Sequence, residues 1–207
     1  MTTSEGPLLA VSVSAFAEMV SDDSPVPGGG AVAGVVAGLG AALAAMAGRF
    51  AIKSATDSAG HRVLVDRAEE LRNRCCSLAD ADARAYTEVA AAQRIPVDDG
   101  GDSRREAMAV AKAAAVIPPS KLADAAREIA EIGLELVNSG SPHLRSDAYA
   151  ASVFASAAAS VAAVLVRVNA RDDDIRLTQA HADAAAAVRT ANQAAGAMGL
   201  SVEAVRT

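Results

Sequence analysis

DSPVPGGGAVAGVVAGLGAALAAMAGR, running from Asp23 to Arg49, decides the fold of this chain. Pro25 and Pro27 flank one valine and disfavour helix, and Gly28, Gly29 and Gly30 then open backbone conformations that other residues avoid. Everything after the turn is Ala, Val, Leu, Met and Gly, which predicts a long apolar helix. Glycines recur at 30, 34 and 38, four apart, so they form one smooth stripe against which another backbone can lie almost in contact. In a dimer, Gly34 is expected to belong to the close helix contact between subunits. A glycine turn that opens a helix also leaves main-chain N–H groups without helical acceptors, where the dipole favours an anion or a developing oxyanion. Neither GxGxxG after a strand nor Gly-Lys-Ser/Thr is present, so a nucleotide is not indicated.

Outward from this stretch, the 207 residues fit one domain, 1–207. Hydrophobic residues make up 52% of the chain, yet there are only two Tyr, three Phe and no Trp. The core must therefore be built from small side chains. Each buries little area, so the helices must approach closely or gain surface from a second subunit, and a two-fold homodimer is expected. A net charge of −6 without basic, aromatic-laced runs argues against nucleic acid. Cys75 and Cys76 are adjacent, which suits neither a disulfide nor a CxxC site, and Glu5 stands where a signal peptide would be basic. A cytoplasmic protein is expected. The uncharged runs Ser24–Gly48 and Ala148–Val166 could span a bilayer by length, but their Ala, Gly and Ser content predicts buried helices rather than a membrane protein.

Helical periodicity continues along the chain. Leu9, Val13, Phe16 and Val20 mark a lead-in helix; Val63, Leu64, Leu71, Leu78, Ala85 and Val89 mark a long amphipathic one from His61 to Gln93. Asp102 or Ser103 can cap a segment that stops at Pro118-Pro119, and another helix runs from there to the stop signal Asn138-Ser139-Gly140. Ser146-Asp147 opens the second uncharged helix, which ends near Asn169, and an Ala-rich helix closes the chain, from about Asp173 to Gly199. With no period-two segment, the reading is all-α: a bundle of about six or seven helices around a long Gly/Ala-rich central helix, dimeric.

Two acids stand out. Asp147 lies at the opening of an uncharged helix, where it can cap free N–H groups, and Asp82 lies four residues before Tyr86 on one helix face, so the two can converge on a ligand. The histidines at 61, 143 and 181 are each alone and no metal site is expected.

These residues resemble the cyclodeaminase/cyclohydrolase domain of folate one-carbon metabolism, found fused in formiminotransferase-cyclodeaminase and alone in methenyltetrahydrofolate cyclohydrolases. Pro25-Val26-Pro27-Gly28-Gly29-Gly30-Ala31-Val32-Ala33 is similar to that family's Pro-x-Pro-Gly-Gly-Gly-Ser-Val-Ala opening. Asp80-Ala81-Asp82-Ala83-Arg84-Ala85-Tyr86 resembles its Asp-x-Asp-Ala-x-Ala-aromatic stretch, Ser146-Asp147-Ala148 its Ser-Asp-Ala turn, and Val166-Arg167-Val168-Asn169 the end of its Asn-Val-x-Ile-Asn segment. The resemblance implies an all-α homodimer that takes a tetrahydrofolate derivative as substrate and needs no cofactor. It also implies Asp147 or Asp82 as the acid/base group, with Gly28, Gly29, Gly30, Lys53, Tyr86 and Ser146 on the substrate. The implied reaction is 5-formiminotetrahydrofolate cyclodeamination or 5,10-methenyltetrahydrofolate hydrolysis. Ala51, Met108 and Leu165 stand where the family carries polar residues. They carry the alternative, a diverged homologue that keeps the helical dimer but binds another small ligand or a partner protein.

Overall fold

The computed structural model describes residues 8–54, 58–97 and 101–200. Ser12 turns its Oγ to the N–H of Ala15, 3.1 Å away, and starts α1, Val13–Ser21. Then follow α2, Gly29–Ser54; α3, Ala59–Gln93; α4, Asp102–Ala115; α5, Ile117–Ser139; α6, Arg145–Asn169; and α7, Ile175–Ala197. Short 3-10 turns lie at Leu8–Ala10 and Pro142–Leu144, and no strand occurs among the described residues. The seven α-helices among the described residues agree with the all-α reading.

Two expected caps are replaced. Gly101, with φ of 66°, is the N-cap of α4, so Asp102 and Ser103 lie inside the helix instead of capping it. Leu144 precedes α6, and Asp147 makes no cap hydrogen bond; it sits in the first turn as an acid that the helix dipole favours. Asp174, by contrast, caps α7 by accepting from the N–H of Arg176 at 3.0 Å.

The glycine stripe sets the packing. Opposite Gly34, an added Cβ would stand 2.9 Å from the Ala79 Cβ and 3.0 Å from that residue's Cα; opposite Gly38 it would meet Cys76 Sγ at 3.3 Å, and opposite Gly48 Val65 Cγ2 at 2.6 Å. α2 and α3 therefore run antiparallel with their backbones nearly touching. This corrects the expectation for Gly34: the stripe is filled by α3 of the same chain, because the connection between α2 and α3 is short enough to fold back directly. Gly40 performs the same service on another face, where a Cβ would lie 3.2 Å from the Ala151 carbonyl oxygen of α6. α5 joins α6 and α7 on the far side of the bundle. There Gly133 leaves room for the buried Ser152, whose Oγ donates to the Ala130 carbonyl at 2.9 Å.

Alanine dominates the resulting core: Ala31, Ala37, Ala41 and Ala45 of α2, Ala148, Ala151 and Ala155 of α6, and Ala123, Ala125 and Ala126 of α5 are fully buried. Both cysteines are free, and burial pushes the Cys75 thiol up to about 12. α2 and the stretch Pro142–Asn169 are long and apolar enough to cross a membrane by length and composition. In the bundle they are neighbours, and each turns only part of its surface inward. α1 has no buried residue.

Candidate active site

The short backbone approach of α2 and α3 brings a carboxylate over the start of α2. A Cβ on Gly30 would collide with the carboxylate of Asp82, so only glycine lets that side chain occupy its position. Asp82 accepts a hydrogen bond from the N–H of Ala31. The first helical bond of α2 runs from Val32 to the Gly28 carbonyl at 3.1 Å, which leaves the N–H groups of Gly29 and Gly30 without helical acceptors at the same helix start. Burial pushes the Asp82 carboxyl above the usual carboxylate range, and the Ala31 hydrogen bond partly offsets this.

Around this pair lies a cavity of about 240 Å³. The turn contributes Pro25 and Gly28–Gly30, α3 contributes Asp82 and Tyr86, α4 ends on it at Ala115, and α6 closes it with Leu165, Val168 and Asn169. Asp82 and Tyr86 thus converge on one space, as their spacing predicts. A second cavity, of about 360 Å³, shares Val168 and Asn169 with the first and is edged by Lys112, Arg171 and Arg176. Arg176 is held by Asp174 at 2.6 Å and the exposed Arg171 is paired with Asp173 at 3.4 Å, while Lys112 stands on the same edge.

The remaining predicted residues lie elsewhere in the chain. α6 runs antiparallel to α2, since Gly40 faces Ala151 and Phe154 while Gly28–Gly30 meet Leu165–Asn169. Asp147 and Ser146 are therefore at the opposite end of α6 from the cavity, about 27 Å along its axis from Leu165 at the helical rise per residue. Lys53 is at the far end of α2, about 36 Å from Gly29 by the same measure. Its ammonium sits 5.1 Å from the Phe50 ring centroid. Within one chain, Gly28, Gly29, Gly30, Asp82 and Tyr86 form one group, and Lys53, Ser146 and Asp147 do not reach it.

Asn169 is the polar cavity residue that the sequence reading did not place in the site, although it ends α6 and lies one turn beyond Leu165. Its Nδ2 donates to the Ala115 carbonyl at 3.5 Å, which ties α6 to the end of α4. Of the three departures from the family pattern, only Leu165 lines the cavity; Ala51 is buried in α2 and Met108 packs beside Val89 and Ala92. Among the described residues, no three His, Cys, Asp or Glu side chains converge as a metal ligand set.

An antiparallel bundle of Ala- and Gly-rich helices, with a carboxylate seated on the glycine-turn start of its central helix, defines an all-α fold of the cyclodeaminase type. The chain belongs to the formiminotransferase-cyclodeaminase family, whose model matches residues 12–185. That family acts in folate one-carbon metabolism. The fold is similar to the crystal structure of formiminotetrahydrofolate cyclodeaminase from Thermotoga maritima, with a TM-score of 0.82 and 23% sequence identity over 97% of this chain and 100% of that one. No curated protein matches the sequence.

Proposed function

We propose that the protein is a soluble cytoplasmic homodimer that catalyses ring closure or ring opening at the one-carbon bridge of a tetrahydrofolate, as a 5-formiminotetrahydrofolate cyclodeaminase or a 5,10-methenyltetrahydrofolate cyclohydrolase. The observation that carries this reading is the half-buried Asp82 carboxylate docked beside free N–H groups at the start of α2. Both reactions pass through a tetrahedral carbon, bonded to three nitrogens in the first and to two nitrogens and an oxygen in the second. In the first, N10 attacks the formimino carbon, the N10 proton is lost and ammonia departs with a proton gained. In the second, water adds to the methenyl carbon, loses a proton, and the bond from that carbon to N5 breaks.

Each route needs one group that takes a proton and returns it to a departing nitrogen. A carboxyl raised by burial is suited to both halves of that transfer near neutral pH, and such groups contribute typically 10²–10⁴-fold. The N–H groups of Gly29 and Gly30 supply fixed positive charge for the oxygen or nitrogen that carries negative charge in passing. A folate ends in carboxylates, and Lys112 and Arg171 edge the adjoining cavity where such a tail can lie.

Purified protein is tested with 5,10-methenyltetrahydrofolate by loss of the methenyl chromophore above the buffer rate, and with 5-formiminotetrahydrofolate by its appearance. Loss of the first alone assigns the hydrolase, and conversion of the second assigns the deaminase. Leu165 favours a second reading, because the cavity there presents an isobutyl group where the family's Asn-Val-x-Ile-Asn segment has an amide. In that reading a folded dimer turns over neither folate and binds another ligand. Recovery of the protein in detergent-free buffer supports burial of the uncharged helix faces between subunits, and a requirement for detergent overturns it.

A further inference from the structure

The helix break at Pro118-Pro119 shapes one wall of the Asp82 cavity. Val116 joins α4 to α5 with right-handed helical angles, φ −74° and ψ −28°, and the N–H of Ser120 reaches the Val116 carbonyl at 3.2 Å. The chain therefore turns helically through the break, and what it lacks there is donors. A helical Ala115 carbonyl would accept from the N–H four residues on, or three at a tightened end, but those residues are Pro119 and Pro118 and have none. Asn169 Nδ2 donates to it instead at 3.5 Å, a long contact that leaves the oxygen able to take a second donor. Because a carbonyl oxygen only accepts, the amide atom facing it is Nδ2, and Oδ1 is turned away from Ala115. Among the described residues Asn169 has no other hydrogen-bond partner. Ala115 ends α4, Asn169 ends α6, and both line the cavity that holds Asp82 and Tyr86. Two helix C-termini thus meet on one wall, where main-chain carbonyls and helix dipoles favour incoming N–H groups.

We infer that this wall reads the N1 edge of a pteridine ring, and that Asn169 and the Ala115 carbonyl set the specificity for the folate head; the inference rests on the proposed folate reaction. Nδ2 lies between two acceptors, the Ala115 oxygen and its own Oδ1, so the wall presents acceptor, donor and acceptor in that order. A reduced pteridine offers the complement along one edge: the N8–H donor, the N1 acceptor and the 2-amino donor. N8–H donates to the Ala115 carbonyl, Asn169 Nδ2 donates to N1, and the 2-amino group donates to Asn169 Oδ1. This pairing orients the rest of the molecule. Lys112 stands one turn before Ala115 on α4, so seating the N8 half of the bicycle at α4 carries the C6 tail toward the adjoining cavity that Lys112 edges. N5 lies on the edge of the bicycle opposite N1, which turns the one-carbon bridge away from this wall and toward the carboxyl of Asp82. The ring faces meet apolar surface at Pro25, Leu165 and Val168.

Binding measured by titration calorimetry tests this without turnover. The probe is 5-formyltetrahydrofolate, which carries oxygen where the formimino group carries nitrogen, together with its 2-desamino and 8-deaza analogues. Wild-type protein is expected to bind each analogue about tenfold more weakly than the parent, the effect of one hydrogen bond left unmade. Asn169→Ala should weaken the parent by ~10–100-fold and erase the preference over the 2-desamino analogue, while the preference over the 8-deaza analogue survives. Pro119→Ala returns an N–H to the helical position that serves Ala115, and it should reduce the preference over the 8-deaza analogue alone. In the turnover assay Asn169→Ala should raise KM and leave kcat nearly unchanged, as befits a group that holds the ring and takes no part in proton transfer. The comparison of the three ligands on wild-type protein needs no variant and decides the matter even if a substitution unfolds the chain. Equal binding of all three by the wild type, or an Asn169→Ala protein that keeps the full 2-amino preference, overturns the role of this wall and leaves the folate reading standing. A wild type that neither binds the parent probe nor turns over either folate refutes the folate reading, and the pteridine assignment falls with it.

Discussion

Gly30 and Gly34 occupy adjacent turns of one stripe, yet what covers them differs, and the two alanine substitutions should fail in different ways. A Cβ at position 34 meets backbone: it would stand 2.9 Å from the Ala79 Cβ and 3.0 Å from both the Ala79 Cα and N. To regain ordinary contact, α2 and α3 must part by about half an ångström along the face that carries much of the core. Overpacking of this kind costs ~1–3 kcal/mol, against which a helical Gly→Ala change returns ~1 kcal/mol, so Gly34→Ala should lose about 1 kcal/mol net. Gly196→Ala is the internal reference. It lies in the last turn of α7 with nothing within 4 Å of the added methyl, and it should gain ~0.5–1 kcal/mol. At ~2–4 °C per kcal/mol for a chain of this length, the melting temperatures should diverge by about 3–8 °C, Gly34→Ala below wild type and Gly196→Ala above it. Calorimetry decides this. A Gly34→Ala protein that melts with or above wild type refutes the claim that close backbone approach, and not loop geometry, selects glycine there.

At position 30 the obstacle is a side chain that can swing away. Gly30→Ala should displace the Asp82 carboxylate and break its hydrogen bond with Ala31, with little change in melting temperature because the freed carboxylate returns to water. Turnover should fall by the ~10²–10⁴-fold expected for a lost acid/base group. Retained turnover would mean that the position of the Asp82 carboxylate is immaterial to the reaction.

The carboxyl of Asp82 is raised in the folded state, so the stability it confers is present below the ordinary carboxylate pKa and is lost as pH rises through the folded value. At neutral pH the ionised group therefore opposes folding, and Asp82→Asn should melt at or above wild type at pH 7, lose that advantage near pH 4, and be inactive; a protein destabilised at pH 7 contradicts the assignment. Asp183 is 3% exposed and accepts from Arg127 Nε at 3.1 Å and from Gln179 Nε2 at 3.1 and 3.2 Å. Asp183→Ala should cost about 2 kcal/mol by denaturant titration, tempered because Arg127 keeps Asp124 and Glu131, and a neutral result would show that those two acids suffice. Asp174 is held down to about 2 by the side chain and N–H of Arg176. Its contribution is present above the ordinary carboxylate value and fades as pH falls toward 2, so amide exchange at the start of α7 should rise over that interval and be insensitive to pH there in Asp174→Ala.

Much of this architecture is legible in the residues because small side chains and prolines leave few alternatives. The turn at Pro25–Gly30, the long helix after it, the break at Pro118-Pro119 and the stop at Gly140 are local signals, and the structure follows them closely. Asp82 with Tyr86 is also local, one turn apart on α3. Periodicity could not say which backbone fills the glycine stripe, since an intrachain and an intersubunit neighbour demand the same small residues; Ala79 answers that question. Asp147 shows the same limit from the other side. Its helix position is readable, but its distance from Asp82 depends on α6 running antiparallel to α2, a fact of tertiary packing.

One economy of composition then links fold and site. α2 turns its glycine face to α3, its alanine face to the core and its valine, leucine and phenylalanine face outward, and it carries no charged residue before Arg49. The contact that seats Asp82 at Gly30 is one turn from the contact that seats Ala79 at Gly34, and both are set by a single interhelical separation. A substitution that widens α2 from α3 anywhere along the stripe must therefore also lift the carboxylate from the N–H groups at the start of α2. Graded enlargement at Gly38, where the nearest atom is the Cys76 sulfur at 3.3 Å, should lower turnover before it lowers cooperativity of unfolding. If turnover and stability instead fell in proportion, the seat of Asp82 would be no more sensitive than the fold as a whole, and the coupling argued from that shared separation would fail.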